Sequence, residues 1–141
     1  MKKGLVLAVF VVFSFVATAS VFAGECPQPR KTGAAPANIA AMDELGGADA
    51  KNGERLFQKD AKPMACMQCH GPKGDGMGKL GAGLKPKPRN FTCAETMKDV
   101  SPGQMFFIIK NGSKGTPMIP QKLTDKEIWD VIKYVRTTFA K

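Results

Sequence analysis

Two cysteines and the only histidine of the chain stand together in "ACMQCHG", as Cys66, Cys69 and His70. Three chemistries use such a set. Structural zinc needs four ligands, usually as two close pairs. Cys66 and Cys69 make one pair, but there is no second CxxC or HxxxH, and His70 directly beside Cys69 is poorly placed to chelate the same ion. Thiol exchange also uses CxxC, usually within an α/β domain. No stretch here alternates polar and apolar residues as a half-buried strand would. The third chemistry is covalent attachment of haem, for which CxxCH is the signature. The two thiols must reach neighbouring vinyl edges of one porphyrin, and two intervening residues in a helical turn allow that reach. The next residue can then project its imidazole at the iron from one face. The residues favour this third use.

The chain has 141 residues and a net charge of +9, which predicts one small basic domain. Its start reads differently. Lys2 and Lys3 precede an uncharged apolar run, and "VFA" at 21–23 offers small residues at the positions of a cleavage site. Residues 1–23 are therefore expected to be a signal peptide that directs the protein to the periplasm. A retained membrane anchor is the other use of such a run. Export fits haem attachment, and it places the four cysteines where thiols are oxidised or ligated. The basic balance suits an acidic partner protein or an anionic membrane surface. Export and a single Trp and Tyr argue against nucleic acid.

The rest of the chain must position the cysteines and the histidine. Residues 24–47, rich in Pro, Gly and Ala, read as an arm with little regular structure beyond a helical turn near 38–45. Residues 48–141 form the expected domain. "ADAKNGERLFQ" (48–58) predicts a short helix with Asp49 as N-cap. Residues 71–92 hold six glycines and three prolines and predict a loop. "SPGQMFFIIKNG" (101–112) has Ser101 as N-cap, Pro102 at the first helical position and an Asn-Gly stop. In 123–140, Thr124 and Glu127 spell a capping box, and Ile128, Val131, Ile132 and Val135 share one helical face. The fold class is all-α, with three or more short helices and long loops. So few helices bury too little apolar surface to offset the entropy of ordering those loops. A large cofactor on which the loops pack would make up the difference.

With these residues in view, positions 48–140 resemble the bacterial class I, monohaem c-type cytochromes. The resemblance implies a cytochrome c-like fold wrapped round one covalent haem c, held by Cys66 and Cys69, with His70 as one axial ligand. It implies a methionine sixth ligand in the loop before the last helix, where "GTPMIP" places Met118 between Pro117 and Pro120. It also implies a close crossing of the first and last helices, with Gly53 and Phe57 meeting the stretch from Trp129 to Arg136. In many relatives a proline carbonyl in a Gly-Pro-x-Leu stretch accepts the ligand histidine's Nδ1–H. Here "GAGL" aligns Ala82 with that proline, so the expected carbonyl is Ala82's. The expected function is one-electron transfer by a monomer, free or as a subunit of an oxidoreductase complex, rather than enzymatic catalysis. A haem-based ligand sensor with a displaceable sixth ligand is the alternative.

Cys26 and Cys93 remain after haem attachment. A disulfide between them is the simplest account in an exported protein. Two free thiols, pairing between chains and lipidation of Cys26 are the others, though Glu25 disfavours the last.

Overall fold

The structure, a computed structural model, describes residues 25–140, so the expected signal peptide lies outside the described residues. Among the described residues six α-helices follow in order: α1 (Ala37–Ala40), α2 (Ala50–Arg55), α3 (Met67–His70), α4 (Ala94–Met97), α5 (Pro102–Asn111) and α6 (Asp125–Thr138). A 3-10 turn at Leu45–Gly47 precedes α2, and α2 widens into a π turn over Leu56–Asp60. Among the described residues there is no strand, and no helix is long and apolar enough to cross a membrane.

The longer helices begin where side chains satisfy their first amides. Asp49 Oδ1 accepts from the amides of Lys51 and Asn52 at 2.9 and 3.3 Å. Thr124 and Glu127 form the reciprocal box, with the Thr124 amide donating to Glu127 Oε2 at 2.8 Å. Ser101 Oγ accepts from the Gln104 amide at 3.1 Å and donates to the Ala40 carbonyl at 2.6 Å. One hydroxyl thus caps α5 and docks the end of α1 on it.

The frame is the crossing of α2 over α6. A Cβ on Gly53 would lie 1.9 Å from the Asp130 carbonyl oxygen, so backbone meets backbone there and only glycine fits. The Asp130 side chain is fully buried beside this contact. It accepts from the Asp49 amide at 2.7 Å, from Asn52 Nδ2 at 2.8 Å and from Lys126 Nζ at 3.0 Å. Burial acts to raise its carboxyl, but these hydrogen bonds hold it below the usual range. Leu56, Phe57, Ile128, Ile132 and Val135 form the core beneath the crossing. The Phe57 ring lies 5.5 Å from both Tyr134 and Phe139, and Phe106 of α5 stacks on Trp129 of α6 at 5.0 Å.

The arm has little regular structure, as its composition suggests, yet it is fastened to the domain. Cys26 and Cys93 form a disulfide with their Cα atoms 5.5 Å apart. The Gln104 side chain accepts from the Ala35 amide at 2.7 Å and donates to the Gly33 carbonyl at 3.0 Å.

Gly53→Ala separates a used glycine from a tolerated one. On an open helix face the change stabilises by about 0.5–1 kcal/mol. Here the overpacked contact reverses the sign and costs at least about 1–3 kcal/mol, measured as a fall in the guanidinium unfolding midpoint.

Candidate functional site

A single helical turn is not stable alone, because four orphan carbonyls close it. In α3 the chain that follows meets all four. The Gly71 amide donates to Met67 O at 2.9 Å, and Leu80 N to Gln68 O at 2.8 Å. Gly78 N reaches Cys69 O at 3.1 Å, and Gly76 N reaches His70 O at 2.8 Å. Glycine is required where that loop lies close to the turn, since a Cβ on Gly78 would stand 2.4 Å from Gln68 O. A Cβ on Gly81 would stand 2.0 Å from Cys69 O, so the loop lies with its backbone directly on the turn that carries the thiols and the histidine.

His70 is buried, and its Nδ1 lies 3.0 Å from the Arg89 carbonyl oxygen. A carbonyl only accepts, so Nδ1 carries the proton and donates it. That leaves the Nε2 lone pair as the coordinating atom. Burial pushes the imidazole below its ordinary range, and the bond to Arg89 opposes this. A neutral imidazole is the form that binds metal. The Phe91 ring stacks on His70 at 4.6 Å with 18° between planes, which fixes the ring's attitude.

The carbonyl expected from Ala82 is a correction. The glycine loop is spent on the carbonyl end of α3, and Ala82 ends up exposed on the rim of a cavity. The chain returns to the imidazole only at "PKPRNF", where Arg89 supplies the acceptor and Phe91 the stacked ring. Prolines at 86 and 88, just before an aromatic, are the available signal in the sequence.

Cys66, Cys69, His70 and Met118 border one cavity of about 620 Å3, and Ala82 borders it too. The Met118 loop is closed by its own hydrogen bonds. Ser113 N donates to Met118 O at 2.8 Å, and Thr116 Oγ1 donates to Ser113 O at 2.7 Å while accepting from Met118 N at 3.1 Å. Met64, Met97 and Met105 also border the cavity. Met97 and Met105 are both core and cavity wall. Met77 does not border it.

Burial pushes the Cys66 thiol up to about 12 and raises Cys69 as well. Exchange and zinc binding both need thiolates, and burial disfavours the thiolate at both sulfurs. Among the described residues, no group of three His, Cys, Asp or Glu side chains could hold a metal ion. A covalent haem fits the cavity. The volume is that of a cofactor pocket, roughly 300–1,000 Å3. Two buried polar atoms on its wall, Ser113 Oγ and Gln121 Oε1, have no partner in the protein. A bound group with polar edges would give them one.

The model of the family described as "Cytochrome C oxidase, cbb3-type, subunit III" matches residues 48–135. No curated protein matches. Among solved structures, the chain is similar to one in the Kuenenia stuttgartiensis reducing HAO-like protein complex Kustc0457/Kustc0458. There the identity is 26% and the TM-score 0.54, over 63% of this chain and 43% of that one. This chain thus spans less than half of that one's length. It is also similar to the c-type cytochrome SorU from Sinorhizobium meliloti, at 23% identity and a TM-score of 0.45, over 65% of this chain and 92% of that one.

Phe91 also packs 6.3 Å from Phe57, so it joins the histidine to the core. Phe91→Ala should cost somewhat less than the ~3–5 kcal/mol of a fully buried ring, because Phe91 is only half-buried. Denaturant unfolding checks the cost. Phe91→Leu should recover most of it.

Proposed function

Because the chain belongs to the c-type cytochrome family matched over residues 48–135, whose members carry covalent haem, we propose that it is a periplasmic one-electron carrier with a single haem c and His70 and Met118 as axial ligands. The observation that carries the reading is the convergence of Cys66, Cys69, His70 and Met118 on one cavity.

The bound haem supplies a one-electron Fe(III)/Fe(II) couple. Cys66 and Cys69 would hold it through thioethers. His70 presents Nε2, with its proton tied up at Nδ1. Met118 would supply a soft thioether, a ligand that favours Fe(II) and raises the potential. With His70 and Met118 both bound to the iron, no position would remain for a substrate. The two ligands sit on restrained backbone, Met118 in its closed loop and His70 between Arg89 and Phe91, so little needs to move when the charge changes. Ile108, Ile109, Val131 and Val135 on the wall exclude water, which also favours the less charged oxidation state.

Arg30 and Arg89 stand on the same wall, and neither meets a carboxylate in an ion pair among the described residues. Lys85 and Lys87 also border the cavity, whereas Lys73, Lys79, Lys114 and Lys122 do not. A positive rim of this kind steers an acidic redox partner, or an anionic membrane surface, to the cavity mouth. The carrier acts as a free monomer or as a subunit of an oxidase-type complex.

Met118→Ala should leave haem covalently attached, open a coordination site to carbon monoxide, and lower the potential by at least about 59 mV, a tenfold change for one electron. Unchanged absorption spectra and potential would remove Met118 from the iron. Replacement of His70 should largely abolish stable holoprotein. Wild-type protein with high-spin iron that binds carbon monoxide readily would indicate the ligand sensor instead.

A further inference from the structure

We infer that Gln28, in the arm, is a positioning residue for His70, acting through the one peptide group that joins Arg89 to Asn90. The inference rests on the proposed ligation by His70. The carbonyl that accepts from His70 Nδ1 is Arg89's, at 3.0 Å. The amide of the same peptide group is Asn90's, and it donates to Gln28 Oε1 at 2.8 Å. A peptide unit is planar, so holding its N–H sets the direction of its C=O. The other end of the Gln28 amide, Nε2, donates to the Pro88 carbonyl at 2.9 Å. One side chain therefore grips the backbone on both sides of Arg89.

Gln28 is itself anchored. Its own amide donates to Thr96 Oγ1 at 3.0 Å. Two residues earlier, Cys26 is bonded to Cys93, three residues before Thr96 in the chain. The Arg89 guanidinium donates to the Arg30 carbonyl at 3.3 Å, so the gripped segment holds the arm in return. The path runs from the disulfide to Gln28, through one peptide group, to the imidazole. Hydrogen bonds aligned in such a chain polarise one another. The Arg89 carbonyl draws on the Nδ1 proton and makes the imidazole a stronger donor to iron. A stronger donor favours Fe(III). Loosening the grip should therefore shift the couple toward Fe(II).

Gln28→Met tests this in the holoprotein, because it nearly keeps the volume and removes both side-chain bonds. The Fe(III)/Fe(II) equilibrium against a redox dye should move toward the reduced form by about three- to tenfold. The His70 Nδ1–H resonance should shift, and the Asn90 amide should lose protection from hydrogen exchange. The absorption spectrum should stay six-coordinate and low-spin. A double variant, Cys26→Ser with Cys93→Ser, should give a smaller change in the same direction, because the Thr96 bond remains. A wild-type potential and an unshifted Nδ1–H in Gln28→Met, with Asn90 deprotected, would overturn the inference. If that variant yields no holoprotein, Thr96→Val decides the matter by the same two readouts, and no change in either overturns it. Failure of the proposed function looks different: the wild-type protein would itself lack covalent haem or a low-spin spectrum.

Discussion

The frame depends on one close approach, where Gly53 of α2 meets the Asp130 carbonyl of α6, and the arrangement round the cavity follows from it. With no side chain between them, the two backbones touch. Asp130 then turns its buried carboxylate back to the start of α2, where it binds the Asp49 amide and the Asn52 side chain. A paired, hydrogen-bonded carboxylate makes that burial tolerable, since an unpaired buried charge would be costly. The position of α6 fixes the wall formed by Val131 and Val135, while α2 leads through its π turn to the segment that bears Cys66. The thiols and the far wall are thus referred to one contact.

What could be read in the sequence was what local chemistry determines. Asp49, Ser101, and Thr124 with Glu127 mark helix starts because capping is made by neighbours in the chain. The apolar face of α6 shows through its spacing. The four-residue turns α3 and α4 are less legible. Nothing in "MQCH" favours a helix end. The turn is completed by amides from Gly71, Gly76, Gly78 and Leu80, and a donor has no sequence identity when it is backbone. The same reason misplaced the histidine's acceptor. Any residue offers a carbonyl, so choosing between Ala82 and Arg89 required knowing where the glycine loop lies. The arm misled in a third way. Its composition describes a chain without regular structure, and composition says nothing of Gln28 and Gln104 bonding it down from long range. The pairing of Cys26 with Cys93 was legible because the other two thiols had already been assigned a use.

The cavity also explains why core and site resist separation. A buried methionine in a helix normally signals packing, and Met97 and Met105 do pack, but the surface on which they pack is also the wall of the site. In a fold this small the apolar interior is shared between protein and cofactor. A residue then belongs to the core and the cofactor pocket at once.

The burial of Cys66 has a consequence for how the chain matures. Four cysteines offer six possible single disulfides, and only the one between Cys26 and Cys93 leaves both thiols of "CMQCH" free to be alkylated. Scrambling requires a thiolate to attack a disulfide sulfur. In the folded chain Cys66 is held protonated up to about 12, and Cys93 is enclosed on the other side of the exchange. The dry surroundings that suit the cavity to a porphyrin therefore also hold back exchange between Cys66 and Cys93. Cross-linking of the arm and capture of the cofactor can then proceed as separate reactions on a single chain.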